Sequence, residues 1–186
     1  MIKQGYQELV NAIIRPPRCQ YTVANLGPTV FDFCGKKFQR IDFELRNPRG
    51  LKLVCSIWEP TPQFRPNPVL PCLIYMHGNS SARLEALPQL SLVLSLGATL
   101  LSFDFSGSGQ SEGEYVSLGA FEKEDLQVCF DFIFICQYQL NILFYISYSS
   151  VSLNTCVQPE LHLPLRSGVE AWGPQRHCCM VKEILQ

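Results

Sequence analysis

Apolar positions recur in three different rhythms along this chain. Tyr6, Leu9, Val10, Ile13 and Ile14 fall at helical spacing. They predict a short amphipathic helix that stops at Pro16-Pro17. Its apolar side is expected to pack on a sheet rather than anchor in a membrane. Phe38 to Leu45 then alternates in the strand manner, Asn47-Pro48-Arg49-Gly50 reads as a turn, and Leu51, Leu53, Cys55 and Ile57 alternate again around Lys52 and Ser56. This pattern predicts a β-hairpin with one buried face.

The third rhythm is continuous. After a proline-rich loop from Thr61 to Pro68, the run Val69 to Met76 is almost wholly apolar, as suits a parallel strand buried on both faces. Ser81 to Leu96 carries a helical stripe of Leu84, Leu87, Leu90 and Leu94, and Gly97 suits its C-terminal cap. Ala98 to Phe103 is a second apolar strand, and a helix is predicted from about Leu118 to Ile133. The fold class is therefore α/β: a β-hairpin, then two strand/helix units, in a sheet with right-handed crossovers. Beyond Ile133 the character changes. From Phe132 to Pro159 there is neither a charged residue nor a glycine, and the tail from Glu160 to Gln186 has no clear period. The apolar run there is interrupted by Gln137, Gln139 and Asn141 and is shorter than the roughly twenty residues a membrane span needs.

Composition narrows the function. The 186 residues are 47% hydrophobic and 17% charged, enough for one globular domain. A net charge of −1 argues against nucleic-acid binding through charge. Nine cysteines are scattered without a C-x-x-C pair, and the first residues show no signal-peptide pattern. Free or buried thiols and a cytoplasmic location are the expectation. No cofactor and no metal site is implied.

Two loops follow the two apolar strands: Tyr75-Met76-His77-Gly78-Asn79-Ser80, and Phe103-Asp104-Phe105-Ser106-Gly107-Ser108-Gly109-Gln110-Ser111-Glu112-Gly113. Together with Tyr115-Val116-Ser117-Leu118-Gly119 and the earlier Ile14-Arg15-Pro16-Pro17-Arg18, in this order, they resemble the serine aminopeptidase-like branch of the α/β-hydrolase superfamily. Its relatives include esterases, lipases and acyl-peptidases, and the match covers about residues 1–133.

The resemblance implies hydrolysis of an ester, amide or peptide bond in a small-molecule or peptide substrate. In that family a serine at a sharp strand-to-helix turn attacks, a histidine takes its proton, and two backbone N–H groups hold the oxyanion. One of those donors lies in the loop after the third strand. Here that loop is His77, Gly78, Asn79 and Ser80, with Asn79 the expected donor, Gly78 allowing close approach and His77 a structural residue. The second loop contains a literal G-x-S-x-G around Ser111. It neither follows a strand directly nor opens a helix, so Asp104, Gly107, Gly109, Ser111 and Gly113 are expected to order the loop rather than react.

No nucleophile strand follows in this reading frame. The codons for Ser167 to Pro174, read two nucleotides out of phase, permit Trp-Gly-Arg-Ser-Met-Gly-Ala, a nucleophile elbow whose serine codon straddles Glu170 and Ala171. Continuing to Val181 permits a first helical stripe, and Trp172-Gly173 and Met180-Val181 leave no choice but glycine. Residues 1–133 thus read as the N-terminal half of a hydrolase domain, and 134–186 as a non-homologous tail, intron-like and then frame-shifted, so that the C-terminal part of the fold is aberrant.

On this reading the chain lacks nucleophile, acid and base and is inactive. The alternative is a non-catalytic splice or gene-model product acting as an interaction module. A thiol or metal protein using His162, His177, Cys178 and Cys179 fits less well, because adjacent cysteines lack the usual ligand spacing. Loss of the nucleophile strand is expected to leave the edge of Val69–Met76 unpaired, inviting aggregation or chaperone binding.

Overall fold

The computed structural model describes residues 2–135 and 143–146. Its strands are β1 (Val30–Phe33), β2 (Lys36–Arg46), β3 (Lys52–Pro60), β4 (Cys72–Met76), β5 (Thr99–Phe103) and β6 (Leu143–Ile146). They form one sheet in the order β1-β2-β3-β5-β4-β6. β1, β2 and β3 are an antiparallel meander, β3 pairs antiparallel with β5, and β4 lies parallel to both β5 and β6. The helices are α1 (Ile2–Ile14), α2 (Leu87–Ser95) and α3 (Glu122–Ile135).

The continuous apolar runs are explained by two cores on opposite faces. Cys72, Ile74 and Met76 of β4 join Leu101 and Phe103 of β5 and Cys129 and Ile133 of α3 on one face. Leu73 and Tyr75 of β4 join Leu100 and Trp58 on the other, packed against Val93, Leu87 and Leu90 of α2. Successive strand residues point to opposite faces, so a strand covered by helices on both sides is apolar at nearly every position. Each fully buried leucine or isoleucine contributes about 2 kcal/mol of transfer free energy.

Several boundaries differ from the expectation. β4 begins at Cys72 rather than Val69, after Pro71, which has no N–H to donate to a ladder. The stretch Ser81–Leu96 is a 3-10 turn at Arg83–Ala86 followed by α2. α3 starts at Glu122, whose carboxylate accepts the Ser117 N–H, the Gly119 N–H and the Ser117 hydroxyl and so holds the preceding segment as a turn against the helix start. The hairpin is not buried on one face only: from Cys55 to Pro60 every residue of β3 is buried, because β5 pairs with it and the α2 side covers Trp58.

Two corrections are larger. α1 forms where the periodicity places it, but among the described residues its stripe joins neither core of the sheet: Tyr6, Leu9 and Ile13 are 67%, 61% and 52% exposed, and Val10 and Ile14 are only partly buried. The edge of β4 expected to be unpaired is instead occupied by β6, with Leu73 opposite Leu143 and Met76 opposite Ile146. The uncharged, β-branched and aromatic run after α3 suits a strand, and α3 provides the crossover that a parallel neighbour requires. The out-of-phase elbow at 167–181 and the residues His162, His177, Cys178 and Cys179 lie outside the described residues. Among the described residues no helix is long and apolar enough to cross a membrane.

Candidate functional site

β4 and β5 are parallel neighbours, so the loops that follow them leave from the same edge of the sheet. In open α/β sheets this carboxyl edge is where ligands bind. The loop after β4 begins with His77, which is buried. Its Nε2 accepts the Phe105 N–H at 3.0 Å, so that nitrogen is unprotonated and Nδ1, 2.8 Å from the Gly78 carbonyl, carries the proton. Burial holds the imidazole below its ordinary pKa, against the opposing pull of the Gly78 carbonyl, Asp104, Glu85 and Glu122. With its one lone pair engaged by a backbone N–H, His77 has nothing to offer a nucleophile.

The same bonds set the direction of the next peptide. The Gly78 carbonyl is held by His77 Nδ1 at 2.8 Å and by the Ser81 N–H at 3.1 Å. A trans peptide is planar, so the Asn79 N–H points opposite to that carbonyl. The neighbouring donors are spoken for. Gly78 N–H donates to Glu85 Oε2 at 2.9 Å, and Ser80 N–H donates to Asn79 Oδ1 at 3.0 Å. Among the described residues the Asn79 N–H has no partner, and Asn79 is exposed. Ser80 takes a positive φ of 60°, which completes the turn.

The loop after β5 is a cage around one carboxylate. Asp104 is fully buried. Its Oδ1 accepts the Arg83 N–H at 2.7 Å, and its Oδ2 accepts the Gln110 N–H at 2.9 Å and the Tyr21 hydroxyl. Burial raises the Tyr21 phenol well above its ordinary value, and the bond to Asp104 adds to it, so the hydroxyl keeps its proton and donates. Ser111 is buried as well: its Oγ donates to the Asp104 carbonyl at 2.6 Å and accepts the Val54 N–H at 2.9 Å. No helix follows it before α3. A hydroxyl committed on both sides, with no imidazole on it, is not an activated nucleophile.

Glycine is required where the cage is tightest. A Cβ on Gly109, at a φ of +47°, would lie 2.4 Å from Asp104 Cγ, and one on Gly107, at +82°, would lie 2.4 Å from the Tyr115 carbonyl oxygen. Gly107 N–H closes the loop on the Glu112 carbonyl at 2.9 Å. Gly113 is held from outside, because Arg18 donates to its carbonyl, to that of Ser111 at 2.7 Å and to that of Gly109 at 3.5 Å. Beyond it, Arg15 donates to the Tyr115 hydroxyl at 2.6 Å, and Val116 N–H donates to the Ile14 carbonyl at 2.9 Å.

Sequence reasoning missed Arg18, Tyr21, Arg83 and Glu85. None carries a motif of its own, and their partners lie on other elements, in most cases far along the chain. The Pro16-Pro17-Arg18 segment was visible only as part of a resemblance. Among the described residues no group of three or more His, Cys, Asp and Glu side chains could hold a metal ion.

This arrangement of strands and loops is the α/β-hydrolase fold, of which the described residues form the part around the first two carboxyl-edge loops. Solved structures agree. The chain superposes on the esterase Pf2001 of Pyrococcus furiosus with a TM-score of 0.54 and 23% identity, over 71% of this chain and 48% of that one. A second crystal form of that esterase gives 0.53 and 22%, over 72% and 46%. The hypothetical protein PA2218 of Pseudomonas aeruginosa gives 0.52 and 20%, over 67% and 39%. The chain thus spans less than half the length of each, and at these identities the likeness speaks to the fold alone. No protein-family model matches the chain, and no curated protein matches it.

Proposed function

We propose that this chain carries the oxyanion side of a serine hydrolase of the aminopeptidase-like branch, one that acts on ester, amide or peptide bonds, and that as encoded it does not turn over substrate. One observation carries the first half. Among the described residues the Asn79 N–H stands without a partner at the carboxyl edge, while the amides of Gly78, Ser80 and Ser81 are all engaged. A preorganised backbone donor of this kind stabilises charge that develops on an attacked carbonyl oxygen.

The second half is supported by what the conspicuous side chains are doing. Ser111, His77 and Asp104 would be the obvious members of a triad, yet each is committed to backbone groups of the loop after β5. None can reach the geometry in which a base takes a proton from a nucleophile. In this proposal the nucleophile elbow lies out of phase in the stretch that encodes 167–181, and the tail from 134 onward is not part of the ancestral domain.

A serine-directed fluorophosphonate probe, followed by mass spectrometry of the digested chain, tests the reading. The expected result is no labelled serine, with a Ser111→Ala chain behaving identically. Labelling at Ser111, or ester hydrolysis with a mappable acyl-serine, overturns it. Sequencing the transcript across codons 130 to 186 tests the slipped frame: a continuous, unshifted message removes that part of the proposal.

A further inference from the structure

Glu85 belongs to no motif, yet both of its carboxylate oxygens are used at the candidate site. Oε2 accepts the Gly78 N–H at 2.9 Å, and Oε1 accepts the Tyr75 hydroxyl at 3.2 Å. Tyr75 is a buried residue of β4, one strand position before Met76. The carboxylate therefore ties the Gly78 amide of the loop to the strand that carries it.

The backbone that holds Glu85 is itself fixed. Glu85 lies in the 3-10 turn Arg83–Ala86, directly after the loop. The start of that turn is pinned to the end of β5, since Arg83 N–H donates to Asp104 and the Arg83 carbonyl accepts the Ser102 hydroxyl at 3.0 Å. Glu85 N–H donates to the Ala82 carbonyl at 2.9 Å. A turn anchored on β5 thus reaches across to β4 and grips the loop between them.

The consequence falls on the neighbouring peptide. Rotation of the Gly78–Asn79 peptide is resisted on its carbonyl side by His77 and Ser81, and on the preceding amide by Glu85 alone among the described side chains. Without the carboxylate, Gly78 N–H becomes a second free donor one residue away. Glycine has the backbone freedom to turn it, and the peptide that aims Asn79 with it. We propose that Glu85 is the positioning residue of the oxyanion loop: it withdraws the Gly78 amide from the site and so makes the Asn79 amide its single aimed donor. This rests on the oxyanion reading of the loop given above.

The test uses the full chain, 15N-labelled, with butylphosphonate as a tetrahedral anionic probe that needs no nucleophile. In the wild type, titration is expected to move the Asn79 amide resonance downfield and to saturate. Glu85→Gln, which keeps an acceptor for Gly78, should bind within about twofold, and Glu85→Ala about tenfold more weakly, as for one lost hydrogen bond of ordinary strength. Tyr75→Phe, which removes one donor to the far oxygen and leaves the bond to Gly78 in place, should weaken binding about threefold on the same scale. The Gly107 and Gly109 resonances of the other loop serve as the control and should not move in any variant.

A merely structural role predicts a lower melting temperature for Glu85→Ala with an unchanged Asn79 response, and that result overturns the proposal. So does a Glu85→Gln chain that fails as badly as Glu85→Ala. Should Glu85→Ala not fold, Tyr75→Phe decides, and an affinity equal to the wild type is the overturning result. If the wild-type Asn79 resonance ignores the probe, the oxyanion reading itself fails, and the positioning role fails with it.

Discussion

His77 Nε2 accepts the backbone N–H of Phe105 at 3.0 Å, so one neutral imidazole fastens the loop after β4 to the loop after β5. The two rings also meet edge to face, with centroids 5.1 Å apart. A second proton on the ring would set two N–H groups against each other in a buried space. The arrangement can exist only while the imidazole is uncharged, and this gives stability a pH dependence.

Burial lowers the folded-state pKa of His77 below its ordinary 6.5. The unfolded chain therefore takes up a proton that the folded chain resists. Stability is full above about pH 6.5 and declines as the pH falls below it, with a limiting slope near ~1.4 kcal/mol per pH unit from this one group. Urea midpoints at about pH 7.5 and about pH 5.5 measure the decline. His77→Gln, whose amide oxygen can still accept from Phe105, is expected to show a smaller difference between the two. Equal differences in the two chains would remove His77 as the cause.

The Asp104 cage sets a second expectation. Gly109→Ala combines a left-handed φ with a Cβ at 2.4 Å from Asp104 Cγ, whereas Gly50→Ala has the φ of +79° and open space around it. Backbone strain alone costs about 1 kcal/mol, and the clash should bring Gly109→Ala to about 3 kcal/mol. Tyr21→Phe, which deletes one donor to the buried carboxylate, should cost about 2 kcal/mol. Denaturant unfolding of the three variants ranks them, and a Gly109→Ala chain no weaker than Gly50→Ala would show that the cage yields.

Arg18 makes a third. Its guanidinium serves the carbonyls of Gly109, Ser111 and Gly113 together, from a half-buried position. Arg18→Ala should lose about 2 kcal/mol, in the range for hydrogen bonds made by a charged donor. Arg18→Lys should recover less than half of it, because a compact ammonium cannot spread across three carbonyls as a planar fork does. Thermal or urea unfolding checks the order Arg, Lys, Ala, and a lysine variant as stable as wild type defeats the argument.

Much of the sheet was legible because burial writes itself into composition. Cys72 to Met76 is apolar throughout, and Thr99 to Phe103 is apolar apart from the small Thr99 and Ser102, since both faces are covered, and β2 alternates since one face is not. What periodicity cannot report is the partner. The stripe of α1 is real, but its spacing is the same whether it meets a sheet or water. β1 escaped notice because Val30–Phe33 is short and its turn to β2, at Cys34-Gly35, shows a single glycine. β6 escaped because an uncharged run without turn residues looks the same inside and outside a domain.

The candidate site was legible as two loops and opaque as a network. His77, Gly78, Asn79 and Asp104 announce themselves by position after a strand. Arg18, Tyr21 and Glu85 act through single contacts made across the fold, and no spacing rule ties Tyr21 to Asp104 across the 83 positions that separate them.

The solvent-facing stripe on α1 changes how the amino-terminal stretch is held. A thirteen-residue helix gains little from its own hydrogen bonds in water and usually depends on what its greasy side touches. Among the described residues most of that side meets water, and the grip comes at the helix end and after it, from Ile14, Arg15, Arg18 and Tyr21 on residues 104–116. The first three turns can therefore fray and reform while the strap behind them stays knotted, and the cage around Asp104 is insulated from whatever the helix does.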